Sequence, residues 1–344
     1  KIVVAGSSSN DALKVKLSSQ YEQYTIKKLR FGVYPNGGGA VAADADNNIE
    51  SVTLTDGTNS YTQYVSGGLV SFTGMNLVVP KDDSKVLTAK INYKTIAAGS
   101  TSGESVKLIA YGTTGNGFEA VGDSGTTIYA ASNAANVTTG GVMVVRKTQP
   151  TISTPSQPSS LLNDAELDLF AFNVAADSGA DVAIKQLTFE TSGSGITVNG
   201  LKLYKNGTMI ASGNINIKAG AAGDATDDVL VPGETVYVYW KTSIEEVVAR
   251  GTSASFVLKG TVSGTSTGDS ILLRLADEAA GVATGAVTGP TVNALSVAGS
   301  VKKMIWSDNS AASHSATIGG SSSDWTNGDL VETLPTTYYS WSKS

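Results

Sequence analysis

The sequence predicts an all-β protein: two tandem Ig-like antiparallel β-sandwich modules followed by an irregular C-terminal tail. Three observations carry this expectation. Apolar residues alternate with polar ones through most of the chain, as at Leu29/Phe31 and Val236/Val238/Trp240, so alternate side chains share one face of a strand. Such segments recur every ~8–12 residues with turn signals between them, the spacing of a sandwich. The third observation is an internal repeat.

Tyr24-Thr-Ile-Lys-Lys-Leu-Arg-Phe31 matches Val182-Ala-Ile-Lys-Gln-Leu-Thr-Phe189 at an offset of 158 residues (182 minus 24). Leu13, Val15 and Leu17 precede the first copy on an alternating strand, and Leu167, Leu169 and Ala171 precede the second. A strand and a tight turn follow each copy, ending at Asp56-Gly57 and at Asn206-Gly207. These dipeptides supply the positive φ that two-residue hairpins require. Leu77-Val-Val-Pro80 then parallels Val229-Leu-Val-Pro232, and the strands that follow, 86–93 and 235–242, are expected to be equivalent. Leu29, Phe31, Leu187, Phe189, Val238 and Trp240 are the expected core residues.

Three prolines, Pro150, Pro155 and Pro158, mark an extended junction between the copies. The expected organisation is module one over 1–147, module two over 148–306 and a C-terminal extension over 307–344. Lys1-Ile-Val-Val-Ala5 and Thr151–Thr154 are expected to open the two modules in equivalent places.

Composition narrows the function. Each half of the 344 residues is long enough to bury a core without staples, and the chain has no cysteine for disulfides or thiolate metal sites. Only 16% of residues are charged, with 38 glycines and abundant Ser and Thr, a composition typical of extracellular β-proteins. The net charge is -6 with no basic stripe, which gives no footprint for nucleic acid. No apolar run approaches the ~18 residues of a membrane span. The chain starts at Lys1 rather than Met and is read as a secreted chain after signal-peptide removal.

Candidate chemistry is sparse. The one histidine, His314, lies near Asp308, Asp324 and many serines, but a triad needs a base positioned beside a nucleophile, and no catalytic residue is assigned. Glu245-Glu246 and Asp227-Asp228 read as solvated loop carboxylates whose side chains diverge, not as a glycosidase pair. Asp44, Asp46, Asn48 and Glu50 alternate as oxygen donors do around calcium, and a plain polar hairpin loop is the competing reading. No other cofactor is expected. Asn136-Val-Thr138 and Asn206-Gly-Thr208 are formal N-glycosylation sequons.

Two segments are candidates for self-assembly. Trp306, Trp325, Tyr338, Tyr339 and Trp341 gather toward the C-terminus, where they can serve a subunit interface, a core or a sugar-binding platform. At the other end, Ile2, Val3 and Val4 form a short apolar strand before the flexible Gly6-Ser-Ser-Ser-Asn10. That strand can open its own sandwich or be donated to the sheet edge of a neighbouring copy.

The strand pair ending at Phe31 and Phe189, the junction Val144-Val-Arg-Lys-Thr-Gln-Pro-Thr-Ile152 and the closing Trp306-Ser-Asp-Asn-Ser…Ser323-Asp-Trp-Thr-Asn-Gly328 segment resemble Ig-like repeat surface proteins of candidate-phyla-radiation (Patescibacteria/Parcubacteria-type) bacteria. The resemblance implies secretion, a cell-surface location and a structural or adhesive role without catalytic residues. The expectation is therefore a non-enzymatic subunit that pairs with identical chains in a filament or lattice. The alternative is an adhesin or carbohydrate-binding module with a surface glycan as partner.

Overall fold

The computed structural model describes every residue except 10, 36–46, 111–116, 130–137, 158, 222–223, 279–302 and 319–323. The chain divides into two compact units, Lys1–Lys147 and Thr148–Ser344. Each is a pair of β-sheets with an apolar core between them.

The first unit begins with β1 (Ile2–Val4), β2 (Leu13–Ser18), β3 (Tyr24–Pro35), β4 (Ile49–Thr55), β5 (Ser60–Tyr64) and β6 (Leu69–Val79). It continues with β7 (Ser84–Tyr93), β8 (Ser105–Ala110), β9 (Phe118–Gly122), β10 (Thr127–Tyr129), β11 (Thr138–Thr139) and β12 (Met143–Arg146). One sheet runs β1-β12-β8-β3-β9-β10, with β6 also on β3 and β11 on β8, and the other runs β2-β7-β4-β5. Val52, Leu54, Leu87, Ala89 and Ile91 of the smaller sheet pack into one cluster with Phe31, Val33, Phe72 and Leu108 of the larger. Phe31 and Phe72 meet edge to face at 5.9 Å, the offset geometry that ring quadrupoles favour.

The second unit begins with β13 (Pro150–Ser153), β14 (Glu166–Ala176), β15 (Val182–Ser194), β16 (Thr197–Lys205), β17 (Thr208–Met209), β18 (Ile215–Ala221), β19 (Asp224–Asp227) and β20 (Val229–Leu230). It continues with β21 (Thr235–Trp240), β22 (Glu246–Val248), β23 (Ser253–Ser263) and β24 (Ser270–Leu275), then β25 (Ile305–Ser307), β26 (Trp325–Asn327) and β27 (Tyr339–Ser342). One sheet runs β13-β14-β23-β16-β17 with β20 on β16. The other runs β19-β18-β21-β15-β24-β27, with β22 and β25 also on β15 and β26 on β25. Phe170 and Phe172 of the first sheet both contact Phe189 of the second, at 5.9 and 5.8 Å, which closes the sandwich. A bulge between Asp168 and Phe170 buries both Leu169 and Phe170 and shifts the alternation, so that Phe172 and Val174 follow on the buried face while Leu167 and Ala171 are half-buried.

Leu29, Phe31, Leu187, Phe189, Val238 and Trp240 are all buried. The 158-residue offset is visible in the pairing itself. Phe31 lies opposite Val70 and Ala110, and Phe189 lies opposite Val236 and Leu275. The hub strands β3 and β15 even share a bulge, between Ile26 and Lys28 and between Ile184 and Gln186.

Three expectations change. Strand 235–242 is not the counterpart of 86–93. The segment Thr235–Tyr239 pairs with the hub as β6 does, whereas the counterpart of β7 is β23, which lies between β14 and β16 as β7 lies between β2 and β4. Both segments alternate and both follow a Pro-containing turn, and a period-two pattern specifies a face but not a partner. β1 and β13 are not equivalent either: β1 pairs parallel with β12, while β13 pairs antiparallel with β14.

The third change concerns residues 307–344, which close the second sandwich and are no separate tail. β25 pairs with β15 where β9 pairs with β3, and β26 pairs with β25 as β10 does with β9. β27 completes the set, placing Trp341 opposite Ile271 where Met143 lies opposite Val106. The counterparts were hidden because the turn 123–126 in the first unit becomes the loop 308–324 in the second.

Candidate functional site

A dense group of ionisable side chains gathers where residues 308–318 and Asp324 lie against the outer face of the second unit's hub. β15 alternates across its bulge so that Ala183 points outward, and Ala183 clusters with Tyr239, Ile305, Ile318 and Trp325. This apolar patch seats the loop. Beside it, Lys185 is only 1% exposed and donates from Nζ to the carbonyls of Lys241 (2.9 Å), Ile244 and Ala316 (2.6 Å). An ammonium has three donors, and all three are matched. Burial draws the Lys185 amine down to about 8, opposed by the Glu245 charge.

His314 lies between two carboxylates. Its Nδ1 is 2.9 Å from Asp324 Oδ2 and its Nε2 is 2.9 Å from Glu245 Oε2. Ionised carboxylates only accept, so both ring nitrogens must donate and the ring is an imidazolium. Burial alone pushes the imidazole toward its neutral form, but hydrogen bonds to Glu245 and Asp324 outweigh it and hold its pKa above the ordinary 6.5. Burial likewise raises Asp324, while the Ala311 amide and His314 prevail and bring it below its ordinary 3.8. The indole of Trp325 lies 5.3 Å from the His314 ring and donates to the Ser315 carbonyl at 2.9 Å. A Ser243–Thr317 hydroxyl contact at 3.0 Å joins the same two loops.

With both nitrogens occupied, His314 has no lone pair to take a proton from a nucleophile. The cluster is a clamp that holds residues 314–317 and Asp324 against β15 and against the residues before β22. Glu245 and Glu246 do diverge, but neither is solvated: Glu245 meets His314 on one side and Glu246 meets Lys205 at 2.5 Å on the other. Asp228 pairs with Lys218 at 2.6 Å. Sequence reasoning missed Glu245 as a partner of His314 and Lys185 as a second fastener of the same loop.

The other expected sites fall as follows. Asp44, Asp46 and Asn136 lie outside the described residues. Asn48 is buried and its amide is committed internally: Oδ1 accepts from Ser100 Oγ and Thr101 N, both at 2.7 Å, and Nδ2 donates to Glu104 at 2.5 Å. Glu50 is exposed on β4. Among the described residues no group of three or more His, Asp or Glu side chains could hold a metal ion. Asn206 is exposed in its hairpin turn, with Oδ1 accepting from Ser255 N at 2.9 Å.

The assembly candidates are placed inside the units. Ile2 and Val3 are buried and Val4 is half-buried, in register with Val144, Val145 and Arg146 of β12. The N-terminal strand thus belongs to its own sandwich in this structure. Trp306, Trp325 and Trp341 are each at most 1% exposed within the second unit, which removes them from any surface. Their indole N–H groups are satisfied by the carbonyls of Asn327, Ser315 and Leu169, each at 2.9 Å. Tyr339 packs edge-on to Trp341 and donates to the Ser159 carbonyl. Tyr338 is the exposed member, 43% accessible, with the Arg274 guanidinium 4.5 Å from its ring.

No protein-family model matches this chain, and no curated protein matches it. Among solved structures, the C-terminal domain of the Streptococcus agalactiae AgI/II polypeptide BspA aligns over 80% of this chain and 90% of that one, at 7% identity and a TM-score of 0.21. A structure described as BspA_C_WT aligns over the same shares at 9% identity and a TM-score of 0.20. The complex of ICOS with ICOS-L and an anti-ICOS-L VNAR domain aligns over 79% and 90%, at 8% identity and a TM-score of 0.16. Similarity at that level bears on neither fold nor function, and the all-β architecture rests on the sheets themselves.

Proposed function

We propose that this chain is a non-enzymatic, extracellular structural subunit that assembles with copies of itself into a cell-surface filament or lattice. The observation that carries the reading is the use of the ionisable residues. Among the described residues the cluster of Lys185, His314, Glu245 and Asp324 is consumed in fastening one loop to its own sheet. Duplication of one sandwich along the chain supports the same reading, since tandem modules extend a chain without adding chemistry. The resemblance to Ig-like repeat surface proteins of candidate-phyla-radiation bacteria belongs with it, as does secretion. No helix among the described residues is long and apolar enough to cross a membrane.

Negative-stain microscopy of the purified chain tests the proposal. Regular filaments or sheets are the expected result. Particles that stay single at high concentration and bind a glycan array would replace this reading with the adhesin alternative.

A further inference from the structure

We propose that a hollow at the open flank of the first sandwich is a binding site for a planar aromatic ring of indole size. The two repeats differ there most in the size of one side chain. Ala120 of β9 lies opposite Ile26 of β3, and Trp306 of β25 lies opposite Ile184 of β15, the residue 158 positions after Ile26. In the second unit the Trp306 indole is fully buried at this place and donates to the Asn327 carbonyl. In the first unit the methyl group of Ala120 leaves a hollow of about 340 Å³, within the size range of small-ligand pockets, about 300–1,000 Å³.

The lining suits such a ring. Ile26, Val79 and Ala120 are buried at its base, and Leu17, Tyr24 and Phe118 stand half-buried around it. Ile128, opposite Ala120 on β10, is 38% exposed at its rim, whereas its counterpart Thr326, opposite Trp306, is buried. Tyr129 holds the register position of Asn327, whose carbonyl receives the indole N–H in the second unit. Ser18, Ser19 and Gln20 line the remaining side, which gives the site an apolar base and a polar edge, and an aromatic ring buries about 150–250 Å² on entering such a site. All four tryptophans of the chain are buried, so a second copy has no exposed indole to offer, and the occupant is a small aromatic molecule.

The test uses 5-fluoroindole as the probe, followed by fluorine NMR on the full chain. Saturable binding to the wild type is expected, with loss in Ala120→Trp, where the introduced indole fills the hollow as Trp306 does. Ile128→Asp changes only an exposed rim residue and is expected to weaken binding about tenfold or more, so the test survives a misfolded Ala120→Trp. Absence of saturable binding up to millimolar probe, or equal binding by the wild type and Ile128→Asp, overturns the proposal. Sedimentation of wild type and Ala120→Trp then identifies the source. Unchanged sedimentation alongside fluoroindole binding is expected for a small-molecule site, and self-association lost in the variant would overturn that assignment in favour of a second copy.

Discussion

Lys185 on the central strand of the second sandwich donates to the carbonyl of Ala316 at 2.6 Å, across 131 residues of chain. Its repeat counterpart Lys27 (185 minus 158) stays on the surface of the first sandwich, bonded to Asn76 at 2.9 Å. The same position thus holds a solvated lysine in one repeat and a buried fastener in the other.

That contrast fixes the first prediction. Lys185→Ala leaves three carbonyls without their donor and should destabilise the second unit by at least about 2 kcal/mol. Lys27→Ala should change stability by no more than about 0.5 kcal/mol. Urea midpoints check both. All four tryptophans lie beyond Thr148, so their fluorescence follows the second unit alone.

The clamp also predicts a pH dependence. His314 has a raised pKa in the folded chain, so its contribution is complete below the ordinary 6.5 and is lost as pH rises through the folded value. Asp324 is lowered, so its contribution is present above 3.8 and is lost as pH falls. Lys185 works in the opposite sense to His314: its folded value of about 8 is below the ordinary 10.5, and its penalty is relieved as pH climbs between the two. The Tm difference between wild type and His314→Gln should therefore be largest near pH 5–6.5 and shrink on the alkaline side. A difference that stays constant from pH 5 to 9 would rule out the imidazolium.

Two buried indoles should respond differently to loss of their N–H. Trp306 Nε1 has the Asn327 carbonyl at 2.9 Å, whereas Trp240 Nε1 has no acceptor among the described residues. Trp306→Phe should cost about 1–3 kcal/mol more than Trp240→Phe, because it strands a buried carbonyl. Guanidinium titrations of the two variants measure the difference.

Phe189 touches both Phe170 and Phe172 across the sandwich. Phe189→Ala should cost about 3–5 kcal/mol as the cavity opens in the centre of the core. An unchanged melting temperature would contradict the inward placement of this strand face.

Removal of residues 1–6 tests the N-terminal strand. Ile2 and Val3 are buried against β12, and each such side chain contributes about 1.5–3 kcal/mol. The truncated chain should lose roughly that much for each, in the first unit only. Unfolding followed by far-UV circular dichroism should shift while the tryptophan transition stays in place.

Much of the fold was legible because β-sandwich strands announce themselves in alternation and glycine turns. The match of Tyr24–Phe31 to Val182–Phe189 located both hub strands, and even their shared bulge falls inside it. What stayed hidden was pairing. Strand 235–242 resembles 86–93 in pattern, yet only the register against Phe189 shows that it is the counterpart of β6. The closing strands of the second unit escaped notice for a different reason: a four-residue turn had grown into a loop, and Ala120 and Met143 had become Trp306 and Trp341. The His314 cluster was half legible. Asp324 lies ten residues away, whereas Glu245 lies 69 away and Lys185 was disguised as a surface residue by its likeness to Lys27.

The parallel union of β1 with β12 has a mechanical consequence. The N–H of Ala5 reaches the carbonyl of Arg146, the N–H of Val144 reaches that of Lys1, and the Lys1 ammonium reaches that of Val142. Because the two strands run the same way, tension on Lys1 and on Lys147 drags them past one another lengthwise. The bonds then share the load and must give together, whereas the ends of an antiparallel hairpin peel apart one bond at a time. A chain anchored at one end and pulled at the other would load this short strand pair in shear.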